Sequence, residues 1–249
     1  MVSSRGGGQL NNFEALSQVK TLGIIGGIAP ESTIDYYRTI IALYRARKPD
    51  GSYPPILINS IDLQRVLATV GAGQLAALAD WLLTELEKLE RAGADFAIMA
   101  SNTPHIVFDE VEGRSPLPLI SIVTATCEIA KARGLKRLAL FGTKFTMQGS
   151  VYRDVFARQE MTVVVPDSPD QDFIHEKYMS ELVAGIFLPE TRAGLLAIVD
   201  KLAQQAGIDG VILGGTELPL ILRDPAHHGI PFLNTTRIHC EAAIERMFS

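Results

Sequence analysis

The chain repeats itself, and the repeat limits what it can fold into. The stretch "RAGADFAIMASNTPHI", starting at Arg91, lies over "QAGIDGVILGGTELPL", starting at Gln205. Gly93 falls on Gly207, Asp95 on Asp209 and Ser101 on Gly215, each 114 residues further on. The segments just before them, "LLTELEKLE" (82–90) and "LLAIVDKLA" (195–203), both carry apolar residues at helical spacing. A second pair, "KTLGIIGGIAPEST" from Lys20 and "KRLALFGTKFTMQG" from Lys136, is a short apolar strand broken by glycine and followed by a helix start. Four matched elements in one order point to a duplicated unit of alternating strand and helix. Further strands are expected at 55–61, 118–123, 161–166 and 231–234. Such alternation implies parallel sheets with helices on both faces.

The expected architecture is therefore α/β, with two doubly wound domains. Residues 20–125 form the first half, joined by a C-terminal helix over 236–249. Residues 126–235 form the second, and 1–19 read as a flexible lead-in. In open parallel sheets, ligands sit beyond the carboxyl ends of the strands. If the halves face each other, four strand-end loops meet in one cleft: 26–33, 101–105, 142–146 and 214–217.

Composition excludes several functions. With 249 residues, 47% hydrophobic content and a net charge of -5, the chain reads as a globular protein without the basic face nucleic acid demands. No apolar run reaches the length of a membrane span, and the N-terminus lacks a signal-peptide core. A cytoplasmic location is expected. The two cysteines, Cys127 and Cys240, fall in helix-like segments without metal or redox spacing, and read as buried packing residues.

The loops themselves suggest a small anionic ligand. "GGIAPEST" puts Gly26 and Gly27 where a backbone turns tightly, Pro30 in a first helical turn, and Ser32 or Thr33 as its cap. The helix start would attract a carboxylate or phosphate. Its glycine spacing is not that of a dinucleotide fingerprint. Thr143 and Thr146 offer hydroxyls beside Lys144, which reads as a surface charge; Ser101, Asn102 and Thr103 make a second donor-rich pocket. Ser60 and Thr216 complete the candidate binding set. His105 is a candidate general base, with a purely structural role as the alternative. Glu217 is the one carboxylate in a loop facing the cleft, and burial would raise its pKa towards neutrality for acid or base work. Asp62, Gln64 and Glu31 are weaker candidates, and Arg47, Lys48 and Lys177 are possible partners for a distal carboxylate. No phosphate loop, zinc cluster or G-x-S-x-G elbow occurs, so neither metal nor organic cofactor is expected.

Taken together, "LGIIGGIAPESTIDYYR", "AIMASNTPH", "LALFGTKFTM", "GVILGGTELPLI" and the closing "PFLNTTRIH" resemble the aspartate/glutamate racemase family, over residues 20–248. The resemblance implies two pseudo-symmetric α/β domains with the active site between them, cofactor-independent chemistry on a small amino acid, and a homodimer. It also implies two facing cysteines, one directly before Asn-Thr and one between Gly and Thr-Glu, that exchange the α-proton on opposite faces. Here those positions hold Ser101 and Gly215, and Asn234 stands where the family has Asp. A thiol near pKa 8.5 is readily ionised, whereas an unassisted serine hydroxyl is far less acidic and glycine has no side chain. Three readings follow: an enzyme of altered chemistry (lyase, decarboxylase or isomerase) using Glu217, Ser101 or His105; a ligand-binding homologue without catalysis; or a racemase whose thiols have been exchanged artificially.

Overall fold

The computed structural model describes residues 19–249. Apart from Val19, which packs on the first core, the lead-in expected over 1–19 lies outside them. Two sheets form. The first contains β1 (Leu22–Gly26), β2 (Ile56–Ser60), β3 (Phe96–Met99) and β4 (Leu119–Ile120), in the order β2-β1-β3-β4 and parallel throughout. The second contains β5 (Arg137–Phe141), β6 (Thr162–Val164), β7 (Gly210–Leu213), β8 (Ala226–His227) and β9 (Ile230–Asn234), in the order β6-β5-β7-β9-β8. With the short antiparallel hairpin strand β8 set aside, the two orders are the same, β5, β6, β7 and β9 matching β1, β2, β3 and β4.

The matched residues of the repeat now have physical roles. Gly93 and Gly207 each follow a long helix (Leu75–Arg91 and Pro189–Ala206) in the left-handed region, φ 96° and 61°, where glycine has no Cβ penalty. Asp95 and Asp209 clamp the amino edges of the sheets: Asp95 accepts from the Thr21 amide at 2.6 Å, and Asp209 from the Lys136 and Arg137 amides at 2.7 and 3.0 Å. The third matched pair, Ser101 and Gly215, lies at the opposite, carboxyl edge.

Both faces of each sheet are covered, because central strands that alternate Leu22, Ile24 with Ile25, or Leu138, Leu140 with Ala139, Phe141, have no polar side to show water. The helix Leu75–Arg91 packs on Ile25, Ala97 and Met99; the helices Ser168–Ser180 and Pro189–Ala206 pack on Ala139, Phe141, Val211 and Leu213. On the other faces the coverage is exchanged. The helix Ile122–Ala132 leaves the first sheet and buries Ile122, Val123 and Cys127 against Leu138, Leu140 and Ile212 of the second. The final helix, Thr235–Met247, leaves the second sheet and buries Cys240, Ala243, Ile244 and Met247 against Leu22, Ile24 and Phe96 of the first. Both cysteines are free and buried.

Two local expectations are corrected. The strand expected at 118–123 is only Leu119–Ile120: the Ser121 side chain accepts from the Thr124 amide at 3.3 Å and starts a helix, so a helix cap overrides an apolar run that reads equally well as strand. Neither Ser32 nor Thr33 caps the helix Pro30–Arg47, whose cap position is Ala29. Thr33 instead accepts from the Gly27 amide at 2.8 Å, and Ser32 donates to the Ala100 carbonyl at 3.0 Å. Among the described residues, no helix is long and apolar enough to cross a membrane.

Candidate active site

All four expected loops open at the carboxyl edges of β1, β3, β5 and β7, and all begin helical turns: Pro30–Arg47, Thr103–Val107, Lys144–Gln148 and Leu218–Ile221. The strand registers explain the level at which they meet. Ile25 is aligned with Met99 and Phe141 with Leu213, so the residues that follow reach the same height in each half. Gly27 holds φ 82°, and a Cβ there would lie 2.7 Å from the Ser60 hydroxyl, so this turn admits only glycine. Ser60 itself is exposed at the end of β2.

Hydroxyl chains link the halves. Thr103 and Thr143 hydroxyls lie 3.4 Å apart, and Thr143 and Thr146 3.1 Å apart. Tyr152 donates to Asn102 Oδ1 at 2.6 Å, which orients the Asn102 amide towards Thr235 Oγ1 at 3.4 Å; Thr235 in turn donates to the Leu213 carbonyl at 2.7 Å. Ser101, Asn102, Thr103, Thr143, Thr146, Thr216 and Glu217 are all buried, and the buried polar groups among the described residues include no Lys or Arg. The cationic candidates are engaged elsewhere: Arg47 with Glu245 at 2.5 Å, Lys48 with Asp50 at 3.4 Å, Lys177 with Glu181 at 2.6 Å, and Lys144 with Asp172. Asp62 and Gln64 are exposed, Asp62 capping the helix Leu63–Gly71, and the Glu31 carboxyl lies against Gly185. A carboxylate in this cleft would be met by hydroxyls and helix-start amides.

His105 is placed against general-base work. Its ring stacks on Phe108 and is buried. Nε2 accepts from the Ile122 amide at 3.2 Å, so Nδ1 carries the proton and donates to the Ser101 carbonyl at 2.9 Å. Both nitrogens are committed to backbone, and burial pushes the pKa down to about 3, with the neighbouring His239 adding to the effect. What His105 does is fix the Ser101 backbone. His239 is a second such residue: it accepts from Tyr36 at 2.8 Å and donates to the Ile120 carbonyl at 2.9 Å, and burial lowers its pKa to about 4. In both, the folded pKa is depressed below the unfolded value of 6.5. The stability they support is present above pH 6.5 and is lost as pH falls towards 3–4. Chemical denaturation at stepped pH should show stability dropping below pH 6.5, by about 1.4 kcal/mol per pH unit for each histidine. A flat profile from pH 7 to 5 would contradict the neutral assignments.

Glu217, in the loop after β7, is fully buried. Its Oε2 accepts from the Tyr178 hydroxyl in a very short hydrogen bond and from Thr216 at 3.1 Å, while Oε1 has no partner. Burial raises its pKa, and the bonds from Tyr178 and Thr216 only partly oppose this. The Tyr178 phenol is pushed up as well, first by burial and then by the Glu217 charge.

Tyr178 is the residue missed in the sequence, and it explains Gly215. A Cβ built on Gly215 would lie 3.0 Å from Tyr178 Cζ and 3.1 Å from its hydroxyl oxygen, with the ring edge closer still. The phenol fills the space a side chain at 215 would need. Tyr178 sits on the helix Ser168–Ser180, where only Ile174 and Tyr178 are buried. That i, i+4 pair, one member bearing a hydroxyl, is the signal in "DFIHEKYMS" that could have found it. A small cavity of about 20 Å³, room for one water, lies between Asn102, Thr103, Thr146 and Tyr152. A wider groove of about 770 Å³ runs between the helices Phe108–Arg114, Ile122–Ala132 and Val151–Ala157, and none of the four loops lines it.

The family model described as Asp/Glu/Hydantoin racemase matches residues 25–243, a span that takes in all four loops and both sheets apart from the first three residues of β1. The chain belongs to the Asp/Glu/Hydantoin racemase family. Among curated relatives, the broad specificity amino-acid racemase RacX of Bacillus subtilis (strain 168) is 25% identical over 233 residues, covering 86% of this chain and 92% of that protein. Among solved structures, a Yersinia pestis protein provisionally described as an Asp/Glu racemase superposes with TM-score 0.82 at 31% identity. An aspartate racemase homologue from Pyrococcus horikoshii OT3 superposes with TM-score 0.78 at 32% identity. Each match covers 92% of this chain and 100% of the other. In this member of the family, the positions at which the resemblance implies thiols hold Ser101, which is buried, and Gly215, which is packed against Tyr178.

Proposed function

We propose that the protein is a cofactor-independent enzyme that moves a proton at the carbon next to a carboxylate of a small amino acid or carboxylic acid, and that it does so on one face only. The observation that carries this reading is the Tyr178–Glu217 pair in the place of the Gly215 side chain. Tyr178 stands nearer that position, with Glu217 behind it. The substrate C–H bond breaks as the phenolic oxygen takes the proton, while the phenol's own proton passes to Glu217 Oε2. The electron pair left on carbon delocalises into the carboxylate, whose oxygens would be held by helix-start amides and by the hydroxyls of Thr103, Thr143, Thr146 and Thr216. Reversal returns a proton to the same face.

On the opposite face, Ser101 has no such support. His105 binds the Ser101 carbonyl rather than the hydroxyl, and Asn102 is held by Tyr152 and Thr235. Racemization requires acid–base groups on both faces, so a single competent face favours stereospecific exchange, decarboxylation or elimination. Gly27, Ser60 and Asn102 are assigned to shaping the binding side, and His105 to positioning Ser101. A cytoplasmic homodimer belongs to the same proposal.

Proton NMR in D2O with a panel of small amino, hydroxy and dicarboxylic acids tests it. The expected result is loss of an α-proton signal, or a new deuterated product, with one configuration retained. Appearance of both enantiomers at the rate of exchange would sink one-faced chemistry. A silent panel in which a compound still raises the melting temperature would leave a binding protein without catalysis.

A further inference from the structure

Far from the cleft, the hairpin joining β8 to β9 is closed by two residues, His228 and Gly229, both in the left-handed region at φ 47° and 84°. Two-residue hairpin turns of this hand favour glycine, asparagine or aspartate. Here the first position is histidine, and its conformation turns the ring to the same side as that of its neighbour. The His227 and His228 rings stack with centroids 4.0 Å apart and planes 25° apart. Both reach one atom, Oδ1 of Asp200 on the helix Pro189–Ala206: His227 Nε2 at 2.9 Å and His228 Nδ1 at 3.2 Å. The three donor atoms lie within 4.8 Å of one another.

We infer that Asp200, His227 and His228 form a binding site for one first-row divalent transition-metal ion, with zinc as the reference. The chemistry of the donors selects the class. Two imidazoles and a carboxylate suit zinc, nickel or copper, whereas calcium and magnesium take oxygen ligands. With neutral rings, each nitrogen now donates its N–H to Asp200 Oδ1. Shifting each ring proton to the other nitrogen leaves a lone pair on each nitrogen beside the carboxylate, and rotation of the three side chains would bring these donors around one ion in place of the two hydrogen bonds. Asp200 is partly shielded at 39% side-chain exposure and His228 open at 75%, so the fourth position faces water. Neighbouring charges do not compete for the site. Lys201 is held by Asp167 and Asp170, and Arg192 by Asp224.

The ion would tie the hairpin to the helix Pro189–Ala206. β9 runs on from that hairpin to Asn234 and Thr235, and Thr235 holds the Leu213 carbonyl and contacts Asn102. Metal binding therefore fastens the strand that carries one wall of the cleft, without supplying a reacting group.

The test uses tag-free, full-length protein stripped with a chelator, titrated with zinc chloride by calorimetry and with cobalt(II) by visible absorption. One ion per chain is expected, with the visible bands of a nitrogen-ligated cobalt and a zinc-dependent rise in melting temperature. His227→Ala, His228→Ala and Asp200→Asn should each weaken binding by at least about 100-fold. His175→Ala, on another helix, should leave it unchanged. Absence of stoichiometric binding, or binding that survives His227→Ala and His228→Ala together, would overturn the site. The readout is independent of turnover, so it stands apart from the proposed chemistry.

Discussion

Tyr178→Phe is expected to lower α-proton exchange by about 100- to 10,000-fold, the range over which a positioned acid–base group acts. The substitution keeps the ring that fills the space beside Gly215 and removes only the hydroxyl, so the fold should be retained. Glu217→Gln should lose activity to a similar degree, because the second proton then has no acceptor. The two variants differ in pH behaviour. Tyr178→Phe removes a bond that lowers the Glu217 pKa, so residual activity should rise with pH at a higher midpoint than in the parent. Glu217→Gln should show no such limb. Stability adds a second readout. The folded pKa of Glu217 is raised above its ordinary value of 4.5. Its contribution is thus fully present below pH 4.5 and is lost as pH rises through the raised value. Glu217→Gln should therefore match the parent near pH 4 and melt higher at pH 8. Activity unchanged in both variants, measured by deuterium incorporation, would remove the pair from the mechanism.

The second large effect concerns positions 101 and 215, where the family resemblance implies thiols. Cysteine introduced at 215 alone places a side chain against the Tyr178 ring. Gly215→Cys should destabilise by about 1–3 kcal/mol, the range for overpacking, and should yield no racemase. The triple variant Ser101→Cys, Gly215→Cys, Tyr178→Ala relieves the clash and supplies a thiol to each face, so it is the form in which both enantiomers should appear. Chiral chromatography after incubation with aspartate and glutamate distinguishes the cases. Racemization by Ser101→Cys, Gly215→Cys with Tyr178 intact would mean that the ring moves aside freely, and that it is not the group occupying the thiol's place.

Much of the architecture was legible because it rests on residues whose roles are local. Gly93 and Gly207 end helices, Asp95 and Asp209 hold strand starts, and alternating apolar residues mark central strands. These roles repeat with the sequence. Of the candidate loops, those holding Asn102, Thr103 and Thr143 are joined by side-chain contacts, and Glu217 is buried in the loop after β7. What stayed hidden depends on contacts between distant segments. Tyr178 and Glu217 are 39 residues apart, on a helix that reads as mostly polar and on a loop in the other arm of the sheet. His105 looked available because its two backbone partners, Ser101 and Ile122, come from a turn and from the first residue of a helix whose start was read as strand. Thr33 looked like a cap because nothing in "GGIAPEST" shows that its hydroxyl turns back to Gly27.

The exchange of covering helices gives the two halves a shared fate. A protein whose lobes each owned their cores could lose one and keep the other, and a fragment of it could be made separately. Here the first sheet is sealed by the last thirteen-residue helix of the chain, and the second by a helix made directly after the first sheet ends. Leu22, Ile24 and Phe96 are covered in part by Tyr36, Ile40 and Tyr44 of the helix Pro30–Arg47, and the helix Thr235–Met247 completes that cover. Loss of either exchanged helix would therefore open the core of the other half, so the two halves are expected to unfold together.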